Sequence, residues 1–129
     1  MPIEHIAVWT TDLGRFECFY VKYFGASASP RYSCAEDGFE SVFLTFGSGA
    51  RLEAMTTTQL RPVEIESGAQ RMGLTHFAVS VGSDADVDRL THWLKADGYS
   101  VLGGPRRTGD GYYESEILDP DGNRIEITA

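Results

Sequence analysis

Ile3-Glu4-His5-Ile6-Ala7-Val8 and Leu74-Thr75-His76-Phe77-Ala78-Val79 are the same strand written twice. Histidine, alanine and valine coincide, the apolar positions match, and the shift from His5 to His76 is 71 residues. A second pair of segments, Arg51-Leu52-Glu53-Ala54-Met55 and Arg124-Ile125-Glu126-Ile127-Thr128, coincides at arginine and glutamate, with a shift of 73 from Glu53 to Glu126. Two independent matches at nearly one offset mark an internal duplication, with two residues of slack in the loops.

The intervening chain repeats as well. Thr11-Asp12-Leu13 carries helix-capping chemistry and is followed by Phe16, Phe19, Tyr20, Tyr23 and Phe24 at helical spacing, with Gly25 as the stop. Gly82-Ser83-Asp84 then Val87, Leu90, Trp93 and Leu94, stopped at Gly98, is its counterpart. Each helix precedes three strand-like runs, near 31–35, 40–46 and 51–55 in the first half and near 101–107, 112–118 and 124–128 in the second. Gly47-Ser48-Gly49 and Asp119-Pro120-Asp121-Gly122 supply the hairpin turns. The expected organisation is α+β: a βαβββ module over residues 1–58, a linker arm over 59–72 with Pro62 and Gly68, and a second βαβββ module over 73–129. A module this small cannot cover its own sheet, so two must pair, within a chain or between chains.

Strand parity places the chemistry. Ile6 and Val8 belong under the helix, which turns His5, Ala7 and Trp9 to the other face. The same alternation puts His76, Glu53 and Glu126 on the faces away from the helices. If the first and last strands of each module are neighbours, each module presents one imidazole beside one carboxylate. A buried set of acids and imidazoles is hard to satisfy without a cation. His5, Glu53, His76 and Glu126 are therefore the expected ligands of one divalent metal ion. With room for water, the set suits Ni, Co, Fe, Mn or an expanded Zn. His92, beside Trp93 in the second helix, has no partner at ligand spacing.

The bulk properties narrow the field. The chain has 129 residues, is 42% hydrophobic and carries a net charge of −8. That size and content suffice for a packed core, and the charge excludes the cationic footprint of a nucleic-acid binder or an anionic membrane surface. No apolar run approaches the ~18–20 residues of a membrane span. The N-terminus has no basic stretch leading into an apolar one, and Cys18 and Cys34 read as thiols of a cytoplasmic protein, with Cys18 in the apolar pattern of the first helix and so expected in the core.

The motifs His-Ile-Ala-Val at 5–8, Leu-Glu at 52–53, Gly-Leu-Thr-His-Phe-Ala-Val at 73–79 and Asp-Pro-Asp-Gly-Asn-Arg-Ile-Glu-Ile at 119–127 together resemble the vicinal oxygen chelate (VOC) superfamily, over essentially the whole chain. Its members include glyoxalase I, bleomycin- and fosfomycin-resistance proteins, methylmalonyl-CoA epimerase and extradiol dioxygenases. The resemblance implies paired βαβββ modules forming a cupped mixed sheet around a metal, with helices outside. The His/Glu/His/Glu order is similar to bacterial glyoxalase I. It implies an isomerase or lyase that acts through an enediolate on a small oxygenated substrate, with Glu126, or Glu53 on the opposite side, moving the proton.

Two other members stand as alternatives: an Fe(II) ring-cleaving dioxygenase, and a small-molecule-sequestering protein of the bleomycin-resistance kind. Dimerisation is common among relatives, so a homodimer is expected. Glutathione-dependent glyoxalases carry an arginine four residues after the first ligand histidine. Here that position is Trp9, which cannot pair with a glutathione carboxylate. Trp9, Phe43, Met55 and Tyr113 are the expected substrate-lining residues of a largely apolar pocket.

Overall fold

A computed structural model describes residues 1–64 and 66–129. Ile65, within the expected linker arm, lies outside the described residues. The elements run β1 (His5–Trp9), α1 (Leu13–Phe24), β2 (Ser27–Ala28), β3 (Tyr32–Cys34), β4 (Phe39–Thr45), β5 (Arg51–Thr56), β6 (Phe77–Ser80), α2 (Asp84–Ala96), β7 (Val101–Arg107), β8 (Tyr113–Leu118) and β9 (Arg124–Thr128). They form two compact units, Met1–Val63 and Glu64–Ala129. The class is α+β, as the strand and helix patterns require.

In the first unit the strand order is β1-β5-β4-β2, with β3 also paired to β4. β1 and β5 run parallel, and β4 is antiparallel to its neighbours. The unit thus has one strand more than the duplication predicts. Ser27 and Ala28 pair with Thr45 and Leu44 in a two-residue strand too short to leave a periodic signature. The helix face of this sheet buries Val42, Leu44, Leu52 and Ala54 against Leu13, Phe16, Phe19, Tyr20 and Tyr23 of α1. Cys18, expected in the core, is exposed. At 100° per residue it points well away from the stripe that Phe16, Tyr20 and Tyr23 define.

The second unit orders its strands β6-β9-β8-β7, again with the first and last strands parallel neighbours. Ile117, Ile125 and Ile127 pack under Val87, Leu90 and Leu94 of α2. Trp93, which shares the helical spacing of these residues, is half exposed, and Thr91 is buried in its stead. Thr91 is tolerated there because its hydroxyl donates to the Val87 carbonyl (2.6 Å) and meets the Ser115 hydroxyl (2.6 Å). His92 is exposed.

Two local devices fix where the ends of the sheet fall. Buried Asp119 accepts from the Asp121 and Asn123 amides (2.9 and 2.8 Å) and from the Asn123 side chain (2.9 Å), which locks the turn that launches β9. Gly104 has φ +76°, and a Cβ there would meet the Glu114 carbonyl at 2.5 Å. Only glycine lets β7 approach β8 this closely, at the register shift between Gly103 and Arg106.

Candidate metal-binding faces

In unit 1, β1 and β5 pair with Ala7 opposite Glu53 and His5 opposite Arg51. His5 and Glu53 therefore stand on one face of two adjacent strands. His5 Nε2 lies 3.6 Å from Glu53 Oε2. In unit 2 the parallel β6/β9 pair sets Ala78 opposite Glu126, and His76 Nε2 lies 3.3 Å from Glu126 Oε2. His76 precedes β6 rather than lying within it, so the lead-in to the strand carries this imidazole. Each carboxylate is largely buried, at 16% exposure for Glu53 and 17% for Glu126.

The spacing has a chemical meaning. Two donors each ~2.0–2.2 Å from a shared cation sit about 3 Å or slightly more from each other. Both nitrogen–oxygen separations are close to that edge length, so either pair fits two neighbouring positions of a coordination shell. The second ring nitrogens strengthen the match. His5 Nδ1 is held by the Glu4 carboxylate, and His76 Nδ1 lies 3.1 Å from the Thr75 hydroxyl. With Nδ1 carrying the proton and donating it, Nε2 keeps its lone pair for a cation, the arrangement usual for metal-bound histidines. Glu4 is also paired with Arg51, and its carboxyl is held below the ordinary range, first by the His5 hydrogen bond and then by Arg51. Among the described residues, no group of three or more His, Cys, Asp or Glu side chains is gathered to hold a metal ion. Each unit presents two donors.

The surroundings of the two pairs differ. In unit 1, Phe43 is opposite Glu53 on β4, its ring edge-on to His5 (5.5 Å between centroids) and under the Arg51 guanidinium (4.1 Å). Trp9 and Met55 share this face, opposite one another across β1 and β5. In unit 2, Glu116 is opposite Glu126 and binds Arg124 (3.0 Å), which also donates to the Gly68 carbonyl (2.9 Å). Buried Glu114 faces Arg106 at 3.4 Å. Burial, and next the charge of Glu114, raise the Glu126 carboxyl above its usual value, while His76 pulls it the other way.

Tyr113 does not belong to this face. Its hydroxyl donates to Asp88 of α2 (2.7 Å), so it stands on the helix side of the sheet, and the expectation that it lines the pocket is corrected. Pairing of Glu116 with Glu126 gives the even-numbered residues of β8 to the carboxylate side. Carrying the register of the 119–122 hairpin turn back along β8 would have exposed this parity. Glu4, Thr75, Glu114 and Glu116 were not anticipated. Neighbours of a histidine in a regular strand point to the opposite face, and Glu4 and Thr75 escape that rule by lying outside β1 and β6.

Comparison with known proteins agrees with this architecture. Bacillus subtilis (strain 168) YqjT, an uncharacterized protein, is 40% identical over 62 residues, which is 46% of this chain and 48% of that one; the match spans about half the length of this curated relative. The glyoxylase/bleomycin resistance protein/dioxygenase domain from Frankia sp. EAN1pec superposes with a TM-score of 0.80 at 16% identity, covering 99% of this chain and 96% of that one. The trypanothione-dependent glyoxalase I of Leishmania major gives 0.75 at 22% identity, covering 99% and 86%. At such identities these structures establish the fold. The match to a family extends over residues 2–127, nearly the whole chain, and the protein belongs to the Glyoxalase/Bleomycin resistance protein/Dioxygenase superfamily.

Proposed function

We propose that this protein is a divalent-metal-dependent enzyme of glyoxalase I type, an isomerase or lyase acting on a small oxygenated substrate, with His5, Glu53, His76 and Glu126 as the metal ligands. The observation that carries the reading is the duplicated imidazole–carboxylate pair, at 3.6 and 3.3 Å, with Nδ1 engaged by the preceding side chain in both copies. A bound cation would act as a Lewis acid for negative charge developing on a substrate oxygen. The chain's own groups do the rest. Glu126, or Glu53 for the opposite face of the substrate, takes a proton from the carbon beside a carbonyl and returns it to the neighbouring carbon. The outer partners Glu4 and Thr75 hold the imidazoles in one orientation. Trp9 in place of an arginine argues for a substrate without the glutathione carboxylates. Among the described residues no helix is long and apolar enough to cross a membrane; a cytoplasmic homodimer with free Cys18 and Cys34 completes the reading.

Elemental analysis of the purified protein tests it directly. The wild type is expected to carry a divalent metal, and a Glu53→Gln, Glu126→Gln double variant is expected to lose it. Equal metal content in both would overturn the assignment. Turnover of methylglyoxal with a panel of thiols then separates a lyase from a protein that only binds.

A further inference from the structure

Arg51 and Arg124 hold equivalent places in the two units, each two residues before the carboxylate of its pair. Their guanidinium groups are used differently. Arg124 is engaged at both ends: Nη1 donates to Glu116 (3.0 Å) and Nη2 to the Gly68 carbonyl (2.9 Å), and its side chain is 17% exposed. Arg51 donates from Nη2 to the exposed Glu4 carboxylate, and its own side chain is 38% exposed. Its Cζ lies over the Phe43 ring, 4.1 Å from the centroid. Held against a ring from one side, a guanidinium still presents N–H donors along its rim, where a carboxylate can meet them.

The approach to this group is open. In the parallel β1/β5 pair Arg51 is level with His5, and the next rung sets Ala7 beside Glu53. His5 and Ala7 are both exposed, and alanine raises nothing above the sheet beyond a methyl group, so solvent reaches the surface directly beside the pair. Phe43 joins the two regions, with its ring against Arg51 and edge-on to His5 (5.5 Å). We infer that Arg51 is an anion subsite of this face: the substrate carries a carboxylate, set a few bonds from the oxygens that meet the cation, and Arg51 takes it in a charge-assisted hydrogen bond. Glu4 and Glu53 border the guanidinium, so a monocarboxylate suits it better than a dianion. The inference rests on the metal-site reading for the direction in which the other oxygens point.

Calorimetric titration with levulinate and its neutral methyl ester reads the charge, because the two probes share one ketone. The full chain is titrated both chelator-treated and loaded with Zn²⁺, at low ionic strength so that screening does not mask the contact. Wild type is expected to bind the acid about tenfold more tightly than the ester. Arg51→Met should lose most of that preference and Arg51→Lys should recover part of it, which separates a charge contact from loss of packing on Phe43. In the chelator-treated chain Glu4→Gln should raise the affinity for levulinate, since it frees the Nη2 edge. Arg124→Met should keep the preference, because that guanidinium is already engaged at both ends. Equal binding of acid and ester by wild type in both forms, or a preference that Arg51→Met keeps in full, would overturn the anion subsite. Metal content is scored separately, so either claim can fail alone.

Discussion

The two units share a backbone plan and an imidazole–carboxylate pair, yet the rungs beside those pairs have opposite characters. In unit 1 the rung reads Trp9–Met55–Ser41–Tyr32. Its counterpart in unit 2 reads Ser80–Thr128–Glu114–Arg106. Beside the carboxylates, Phe43 in one unit is Glu116 in the other, and the equivalent arginines follow suit. Arg51 lies over a ring, whereas Arg124 is tied to Glu116 and the Gly68 carbonyl. Duplication has kept the helix-side packing and the metal-type donors, and has let the remaining positions of the same faces diverge. Shared chemistry is therefore expected at the pairs and selectivity at the rungs.

The likeness is deepest on the helix sides, and substitutions there should be the most costly and the most alike. Phe16 and Leu94 are both completely buried, each in the stripe of its helix. Phe16→Ala is expected to cost about 3–5 kcal/mol and Leu94→Ala about 2–5 kcal/mol, through lost transfer energy and the cavity left behind. Denaturant titration would measure both. A cost below 1 kcal/mol in one unit would show that its core is not built as the other's.

Next in size come the outer partners of the imidazoles. Glu4→Ala and Thr75→Ala should each weaken divalent-metal affinity about 10–100-fold in chelator competition, since such groups fix the tautomer and the ring orientation. The Glu4 effect should be the larger because its hydrogen bond involves a charge. If Thr75→Ala left affinity unchanged while Glu4→Ala lowered it, the two pairs would not be equivalent and the duplication would carry less than proposed.

The arginines give a smaller and deliberately unequal pair. Arg124→Met leaves the largely buried Glu116 carboxylate and the Gly68 carbonyl without this donor, at an expected cost of about 1–3 kcal/mol. Arg51→Met gives up a more exposed contact with Phe43 and a surface ion pair, about 1 kcal/mol or less. Equal costs would erase the proposed contrast between the faces.

How much of this was legible follows from the range of each signal. The α+β plan and the placing of His5, Glu53 and Glu126 away from the helices came from period-two alternation and two internal matches at nearly one offset. Alternation is read within a single strand and the duplication by setting the chain against itself, so neither needs a tertiary contact. β2 escaped because two residues carry no period. Cys18 was misplaced because apolar character was read without its angle around the helix. The polar face of unit 2 escaped for a different reason. Glu114 and Glu116 look like ordinary solvent-facing strand residues until the β8/β9 register sets them beside Glu126, and Arg106 reaches Glu114 only through the glycine-dependent irregularity at Gly103 and Gly104. Tyr113 was misassigned for want of the same register.

The helix starts offer the smallest test, and one that acid can switch. α1 is capped by Asp12, whose carboxylate accepts from the Arg15 amide (2.9 Å), and α2 by Ser83, whose hydroxyl accepts from the Asp86 amide (3.2 Å). Replacing either cap by alanine should cost about 1 kcal/mol at neutral pH. Only the second cap is reciprocal: the Ser83 hydroxyl also donates to the Asp86 carboxylate (2.6 Å). That hydrogen bond, and then Arg89, hold the Asp86 carboxyl below its ordinary value of 3.8. A carboxyl depressed in the folded state stabilises the fold above its unfolded value, and that contribution fades as the pH falls from 3.8 through the lowered value. The stability difference between wild type and Asp86→Asn should therefore be present at pH 7 and shrink toward zero below that range, as read by melting curves at stepped pH. A difference that stays constant into acid would mean the Ser83–Asp86 contact does not favour the ionised carboxylate, and the cap of α2 would then act through the Ser83 hydroxyl alone.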